Sequence, residues 1–175
     1  MSEGIELAEV EHGTLLDQPA RVRRLRDAVP QIRAVLEDET DAVAMQSTLA
    51  CLLWEALAQT NWCGFYRRVG PRTLAVGPYQ GRMGCLRIDF ARGVCGACAS
   101  SGEVQLVPDV EAFAGHISCD ADTRSELVVP VFDHQGELRA VLDLDSPHAN
   151  GFSRAEADVL AALLAETFGR ATSVW

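Results

Sequence analysis

The sequence contains no lysine, and all fifteen of its basic residues are arginine. We read this absence as a coding bias rather than as a functional signal. Acidic residues outnumber the arginines, because Asp and Glu together number 25 and the formal net charge is -10. A nucleic-acid partner requires a basic surface that neutralises phosphates, so the composition argues against DNA or RNA binding.

Long apolar segments are missing as well. No run reaches the roughly eighteen apolar residues that span a bilayer. The first residues, MSEGIELAEVEHG, lack the apolar centre of a secretory signal. We therefore expect a cytoplasmic protein with no membrane partner. Thiols are kept reduced in the cytoplasm, so clustered cysteines there indicate metal binding or catalysis before structural disulfides.

The chain is long and apolar enough for one domain with a sizeable core, since 48% of its 175 residues are hydrophobic. Residues 1–19 show little periodicity and are predicted to be a mobile N-terminal lead. Residues 20–175 are predicted to form a single domain.

Periodicity within that domain predicts an α+β fold. Apolar residues at helical spacing indicate two helices before any strand, and Pro30 kinks the first or makes it start afresh. The second helix is predicted to bury positions that include Val43, Leu49, Leu53 and Leu57. Two hairpins are predicted, one from NWCGFYRRV with RTLAVG and the other from SELVVPVFDHQGELRAVLDLDS. Further strands are predicted at CLRID and EVQLVPDV. GVCGACASSG suits a short helix, and FSRAEADVLAALLAETFG is a helix that begins with a capping box of Ser153 and Glu156. This order predicts an antiparallel sheet with helices packed on its faces.

The second hairpin places three acidic residues close together. Asp143 and Asp145 are two apart, so they point to the same face of their strand. If Gln135-Gly136 is the turn, Glu126 lies opposite Asp145 and Val128 lies opposite Asp143. Cross-strand neighbours are roughly 5 Å apart at Cβ. The three carboxylates should therefore form one patch.

Two interpretations of this patch remain open. Acidic residues on a strand are often no more than a solvated face. Like charges this close raise at least one pKa, however, so the patch can instead hold a proton for donation or bind an ammonium group.

Four of the six cysteines lie between Cys85 and Cys119. Cys95-x-x-Cys98 with His116-x-x-Cys119 has the ligand count of a tetrahedral zinc site. The alternative is redox chemistry, which needs a reactive thiolate and a second thiol within reach. Cys95 near a helix start is expected to have a lowered pKa, and Cys119 follows a glycine-containing loop. The residues alone do not choose between these two as the nucleophile.

Four other side chains have an ordinary structural interpretation. Cys51 and Cys63 fall in helix and strand patterns and are predicted to be core residues. Trp62 and Tyr66 are four apart on one strand, hence on the same face, and form either part of the core or an aromatic wall for a small apolar group.

Several motifs, taken in order, resemble a known family. The segments are NWCGFY, VGPYQG, GCLRIDFARGVCGACA, VPDVEAFAGHISCD, SELVVPV and VLDLDSP. They are similar to the free methionine-(R)-sulfoxide reductases, small enzymes with a GAF domain. The resemblance runs from about Leu36 to Phe168 and implies a GAF-like fold.

The resemblance implies a thiol-dependent reduction of free L-methionine-(R)-sulfoxide to methionine. Cys119 matches the attacking cysteine, and Cys85 and Cys95 match the two cysteines of the resolving disulfide, with Cys85 favoured as the partner. Trp62 and Tyr66 match the aromatic residues around the substrate methyl group. The polar residues that hold the substrate are matched by Glu126, Asp143 and Asp145. No metal or organic cofactor is implied, and the implied partners are thioredoxin as reductant and a second copy of the chain in a homodimer.

This sequence departs from the family pattern at Ala114, where proline is usual, and at the additional Cys63 and Cys98. Two other functions remain open. The chain can be a non-catalytic GAF module that binds a small ligand, or a structural zinc protein.

Overall fold

The computed structural model describes residues 5–113 and 121–170. Within these ranges six strands form one antiparallel sheet in the order β3-β2-β1-β6-β5-β4. The strands are β1 (Trp62–Gly70), β2 (Thr73–Gly81), β3 (Arg87–Asp89), β4 (Gln105–Val107), β5 (Ser125–Phe132) and β6 (Leu138–Ser146). The helices are α1 (Gln18–Val35), α2 (Ala42–Ala56), α3 (Gly93–Ser101) and α4 (Arg154–Phe168). The predicted α+β fold, an antiparallel sheet with helices packed on its faces, is confirmed.

The main hydrophobic core lies between one face of the sheet and helices α1, α2 and α4. Phe65, Leu127 and Leu142 of the central strands belong to this core and are fully buried. The capping box that starts α4 is present as predicted, with Ser153 and Glu156 bonded to each other's backbone. Glu156 is itself fully buried, and its Oε1 accepts hydrogen bonds from Arg21 Nε at 3.2 Å and Gln59 Nε2 at 3.1 Å.

Two details of the helices differ from the sequence predictions. Helix α1 continues through Pro30, so the alternative that a new helix starts there is wrong. Val43 in α2 was predicted to be buried but is 45% exposed. Leu49, Leu53 and Leu57 are buried as predicted, and Met45 is buried beside them. Because α2 is apolar nearly all round, its periodicity does not specify which face turns inward.

The opposite face of the sheet carries a second, smaller apolar cluster around α3. Trp62, Tyr66 and Val128 of the sheet pack there against helix residues that include Val94 and Cys98. Helix α3 is short and ends at Gly102, which has a φ of 70°. Since one short helix and loops cover this face, the ends of β1, β5 and β6 beside α3 are available for polar side chains.

The segment before α1 packs along the helical layer. The backbone N–H of Gly13 donates to Ala58 O at 2.6 Å, and Glu6 exchanges hydrogen bonds with the side chain of Gln31. The domain boundary at residue 19 stays a prediction. Among the described residues, no helix is both long and apolar enough to cross a lipid bilayer.

Candidate active site

The acidic patch lies where the β5–β6 register predicts it. Glu126 pairs with Asp145, and Val128 pairs with Asp143. The turn is wider than the predicted two residues, because Asp133 N donates to Glu137 O at 3.0 Å. An irregularity in pairing beside Phe132 compensates for this difference, so the register at the patch is unchanged.

The three carboxylates are buried, so the interpretation as a solvated face is wrong. Glu126, Asp143 and Asp145 are only 7%, 6% and 8% exposed. Burial, followed by the charges of Asp143 and Asp145, raises the pKa of Glu126 well above its usual range. Burial also raises the pKa of Asp143, to about 6. The patch therefore retains protons that exposed carboxylates lose.

The opposite effects of their shared hydrogen bond on the pKa values of Glu126 and Asp143 assign the proton of this pair to Glu126. The Glu126 carboxyl donates to the Asp143 carboxylate, which also accepts from the Cys95 thiol and from the backbone N–H of Leu144. Among the described residues, Asp143 Oδ1 is buried and accepts no hydrogen bond. Glu126 thus retains its proton, and Asp143 presents one unsatisfied oxygen.

Cys95 does not have the lowered pKa that its position near a helix start predicted. It is the third residue of α3, 3% exposed, and its Sγ lies 4.0 Å from Glu126 Oε1. Burial raises its pKa well above the usual range, and the negative charges of Asp143 and Glu126 raise it further. These effects outweigh the helix dipole, so Cys95 is a neutral thiol that donates a hydrogen bond to Asp143.

The predicted zinc pairing of Cys95 with Cys98 has no support on α3. Cys98 Sγ lies 3.8 Å from the backbone oxygen of Val128, whereas Cys95 faces the carboxylates. The second half of that motif, His116 and Cys119, lies outside the described residues.

A different set of atoms has the spacing of a cation site. Cys95, Glu126 and Asp143 each offer one ligand atom, and these atoms lie within 4.8 Å of one another. The Cys95 thiol and the Glu126 carboxyl remain protonated, and their hydrogen bonds to Asp143 connect the three side chains.

The remaining cysteines divide by environment. Cys63 is fully buried in the main core, as predicted, whereas the prediction of a core position for Cys51 is wrong because it is exposed. Cys51, Cys63, Cys95 and Cys98 are free thiols. Cys85, in contrast, is disulfide-bonded.

An aromatic wall stands beside the carboxylates. The rings of Trp62 and Tyr66 are stacked with centroids 5.4 Å apart and an interplanar angle of 18°. Tyr79 stacks on the other side of Trp62, at 5.2 Å and 13°. Sequence reasoning missed Tyr79, although its pairing with Gly64 follows from the β1–β2 hairpin. Glycine is required at position 64, because a Cβ there would lie 2.2 Å from Tyr79 Cβ.

The loop between β2 and β3, residues 82–86, forms a roof over these rings. Trp62 Nε1 donates to Arg82 O at 3.0 Å, and the Tyr66 hydroxyl accepts a hydrogen bond from the Cys85 backbone. Gly84 lies against the rings so closely that a Cβ would come within 2.7 Å of the Tyr66 hydroxyl oxygen. Cys85 is therefore held directly above the aromatic wall.

These walls enclose a narrow pocket. It is lined by Trp62, Tyr66, Arg82, Met83, Gly84, Asp143 and Asp145. Of the predicted site residues, four line the pocket, Glu126 and Cys95 lie behind Asp143, and Cys85 lies in the roof. Cys119, and Ala114 in its loop, lie outside the described residues. The pocket suits a small molecule with an apolar end, a cationic group and an oxygen that accepts a proton.

The raised pKa of Asp143 predicts that Asp143→Asn stabilises the empty protein at neutral pH. A carboxyl whose pKa is raised on folding contributes stability below its unfolded pKa and loses it as pH rises through the folded value. The rise from 3.8 to about 6 corresponds to at most about 3 kcal/mol. The variant should therefore unfold at a higher denaturant concentration at pH 7.5, and this advantage should shrink toward pH 4.

The matched control is Asp133→Asn. The Asp133 carboxylate accepts hydrogen bonds from the backbone of Gln135 and Glu137 and from Arg139 Nε. This variant should lose stability at neutral pH. Equal destabilisation by both variants at pH 7.5 would contradict the raised pKa of Asp143.

Comparison with known proteins places this fold and site in a family. Residues 24–171 match the GAF domain family. The free methionine-R-sulfoxide reductase of Escherichia coli is 38% identical over 133 residues, 76% of this chain and 79% of that protein. The enzyme of the same name from Saccharomyces cerevisiae is 38% identical over 130 residues, 71% and 72% of the two chains. The crystal structure of free methionine-R-sulfoxide reductase from Neisseria meningitidis in complex with its substrate superimposes with a TM-score of 0.80 at 37% identity, covering 93% of this chain and 94% of that one. The chain therefore belongs to the GAF-domain family and, within it, to the free methionine-R-sulfoxide reductases.

Proposed function

We propose that this chain reduces free L-methionine-(R)-sulfoxide to methionine, with Cys119 as the attacking thiol. The observation that carries the proposal is the unsatisfied, buried Asp143 Oδ1 beside a stacked aromatic wall, backed by the protonated Glu126. Relatives that carry this activity in their names match about three quarters of the chain.

Each wall of the pocket fits one part of that substrate. The methyl sulfoxide end packs against the rings of Trp62 and Tyr66, with its oxygen toward Asp143. The substrate ammonium group binds the carboxylate of Asp145. A sulfoxide oxygen is a poor leaving group until it is protonated, so the acid beside it assists the reaction.

The reaction balances without a metal or organic cofactor. The Cys119 thiolate attacks the sulfoxide sulfur, and the oxygen takes a proton through Asp143 from Glu126. The sulfur–oxygen bond of the sulfoxide then breaks, the hydroxyl passes to the sulfur of Cys119, and methionine departs, which leaves Cys119 as a sulfenic acid. The Cys85 thiol then condenses with the sulfenic acid, which forms a disulfide and releases water.

Cys85 is the resolving thiol of this proposal, and Cys95 is a positioning residue. Cys85 lies in the roof loop, next to Gly84 of the pocket lining, and takes part in a disulfide. Cys95 is a free, neutral thiol whose hydrogen bond orients Asp143. Reduction by thioredoxin, a homodimeric assembly and a cytoplasmic location complete the proposal.

The test is NADPH consumption with thioredoxin, thioredoxin reductase and each diastereomer of free methionine sulfoxide. We expect turnover of the (R) form and none of the (S) form or of peptide-bound methionine sulfoxide, because the pocket is narrow and offers carboxylates to a free ammonium group. Equal rates on both diastereomers would overturn the proposal. Binding of the sulfoxide without any methionine formation would favour a ligand-binding module instead.

A further inference from the structure

Two large apolar residues on the roof loop are highly exposed. Met83 is 78% exposed and Leu86 is 68% exposed, the highest values among the large apolar residues that the structure describes. The next highest, Val35, is 51% exposed and lies on a helix. Met83 and Leu86 flank Cys85 in the sequence, and Cys85 is only half-buried.

This exposure occurs on a firmly held loop. The backbone oxygen of Arg82 accepts a hydrogen bond from the Trp62 indole N–H, and the Cys85 backbone donates one to the Tyr66 hydroxyl. The backbone oxygen of Leu86 accepts a third from Val76 N at 3.2 Å. The backbone of the loop is thus fixed at both ends and above the rings. A fixed loop that presents apolar side chains costs little further entropy when a partner binds to it.

The charge around the loop differs from that of the whole chain. Residues 82–92 contain Arg82, Arg87 and Arg92 against Asp89, and all four are exposed. Arg82 is paired with Asp122 at 2.9 Å, so Arg87 and Arg92 supply the positive charge beside the loop in a chain whose net charge is -10. Positive charge beside a disulfide stabilises the thiolates that form when the bond is broken.

We propose that this surface, formed by Met83, Leu86 and Arg87 around Cys85, is the docking patch for a small dithiol protein of the thioredoxin type. The inference rests on the proposed function, which leaves Cys85 in a disulfide after each turnover. The occupant must bring a thiolate to that disulfide, and the patch combines an apolar contact area with a positive rim that suits an acidic partner.

The exchange that follows docking is balanced. The partner's thiolate attacks Cys85 Sγ, and the bond from Cys85 to its former partner sulfur breaks and leaves a thiolate that takes up a proton. The partner's second thiol loses its proton and attacks the mixed disulfide, which releases the Cys85 thiolate for protonation. In total, two electrons and two protons pass from the dithiol to the protein.

The test compares a protein reductant with a small one. In the double variant Leu86→Ser/Arg87→Ser, the KM for thioredoxin should rise about tenfold or more. The rate with dithiothreitol and the KM for methionine sulfoxide should stay within about twofold of wild type, since dithiothreitol needs no docking surface. In wild type, added salt should raise the KM for thioredoxin but not the dithiothreitol-supported rate.

The matched control is Val43→Ser/Arg154→Ser, which removes an exposed apolar and an exposed basic residue from helices on the other face of the sheet. It should leave the KM for thioredoxin unchanged. A second measurement traps the mixed disulfide with thioredoxin that lacks its second cysteine, and peptide mapping should place the bond at Cys85.

Three results would overturn the docking patch. These are an unchanged KM in the Leu86→Ser/Arg87→Ser variant, a mixed disulfide at another cysteine, and a change in oligomeric state, which would assign the surface to a second copy of the chain. Failure of the proposed function is distinguishable, because wild type would then form no methionine even with dithiothreitol.

Discussion

Cys119→Ser is expected to form no methionine even in a single turnover, whereas Cys85→Ser should form about one methionine per chain and then stop. Of the cysteines, only the attacking one is required for oxygen transfer to sulfur, so its loss removes the first step. Loss of Cys85 leaves that step intact but leaves the sulfenic acid of Cys119 without the thiol that resolves it.

The measurement is a count of methionine released without reductant, together with mass spectrometry of the oxidised protein. Wild type should end as a disulfide, and Cys85→Ser should end with one added oxygen on Cys119. A full methionine burst from Cys119→Ser, with none from Cys95→Ser, would contradict the assignment and move the nucleophile to α3.

Two further variants serve as comparisons in the same experiment. Cys95→Ser should still form methionine and the disulfide, at a reduced rate, because a hydroxyl replaces the thiol as hydrogen-bond donor to Asp143. Cys98→Ser should change little, since the Cys98 thiol contacts only the backbone oxygen of Val128 among the bonds described.

The position of the carboxylate patch could be predicted from the sequence because strand geometry has few alternatives. Residues two apart on a strand share a face, and a hairpin turn fixes which residues are opposite. The actual turn is wider than predicted, yet Glu126 and Asp145 are paired because the irregularity beside Phe132 restores the register. A change of one residue in that pairing would have moved Glu126 to the other face.

The chemical state of Cys95 could not be predicted in this way. Its position in the first turn of α3 indicated a lowered pKa, which is the local effect of the helix dipole. The raised pKa comes from burial and from the charges of Asp143 and Glu126, which belong to other elements. A local pattern does not report which carboxylates the fold places against a thiol.

Burial on α2 shows the same limit. Val43 and Cys51 lie on its solvent side, although the sequence of α2 is apolar enough to allow other orientations.

Tyr79 is a different case, because the β1–β2 hairpin already places it beside Trp62. The exposure of Met83 and Leu86, in contrast, depends on how the roof loop is fixed to the rings of Trp62 and Tyr66.

Glu126→Gln should reduce the rate of methionine formation in the first turnover about 100-fold, because it removes the proton reservoir behind Asp143. The amide preserves the shape and one hydrogen bond to Asp143, so the fold and the binding of substrate should be retained. The control is Glu137→Gln, whose side chain is 62% exposed at the hairpin turn, and it should leave the rate unchanged.

The pH dependence separates a proton donor from a residue that only positions Asp143. Wild type needs a protonated carboxyl pair, so its rate should fall at high pH with an apparent pKa that belongs to the pair rather than to either residue. In Glu126→Gln the only proton of that pair is the one on Asp143, whose pKa burial raises less far than that of Glu126 in wild type. The fall in rate should therefore begin at lower pH in the variant. The measurement is a series of rapid-quench single turnovers from about pH 5 to about pH 9, in steps of about half a pH unit. An equal loss of rate at every pH, with the profile unshifted, would show that Glu126 acts through position alone and would sink its role as the acid.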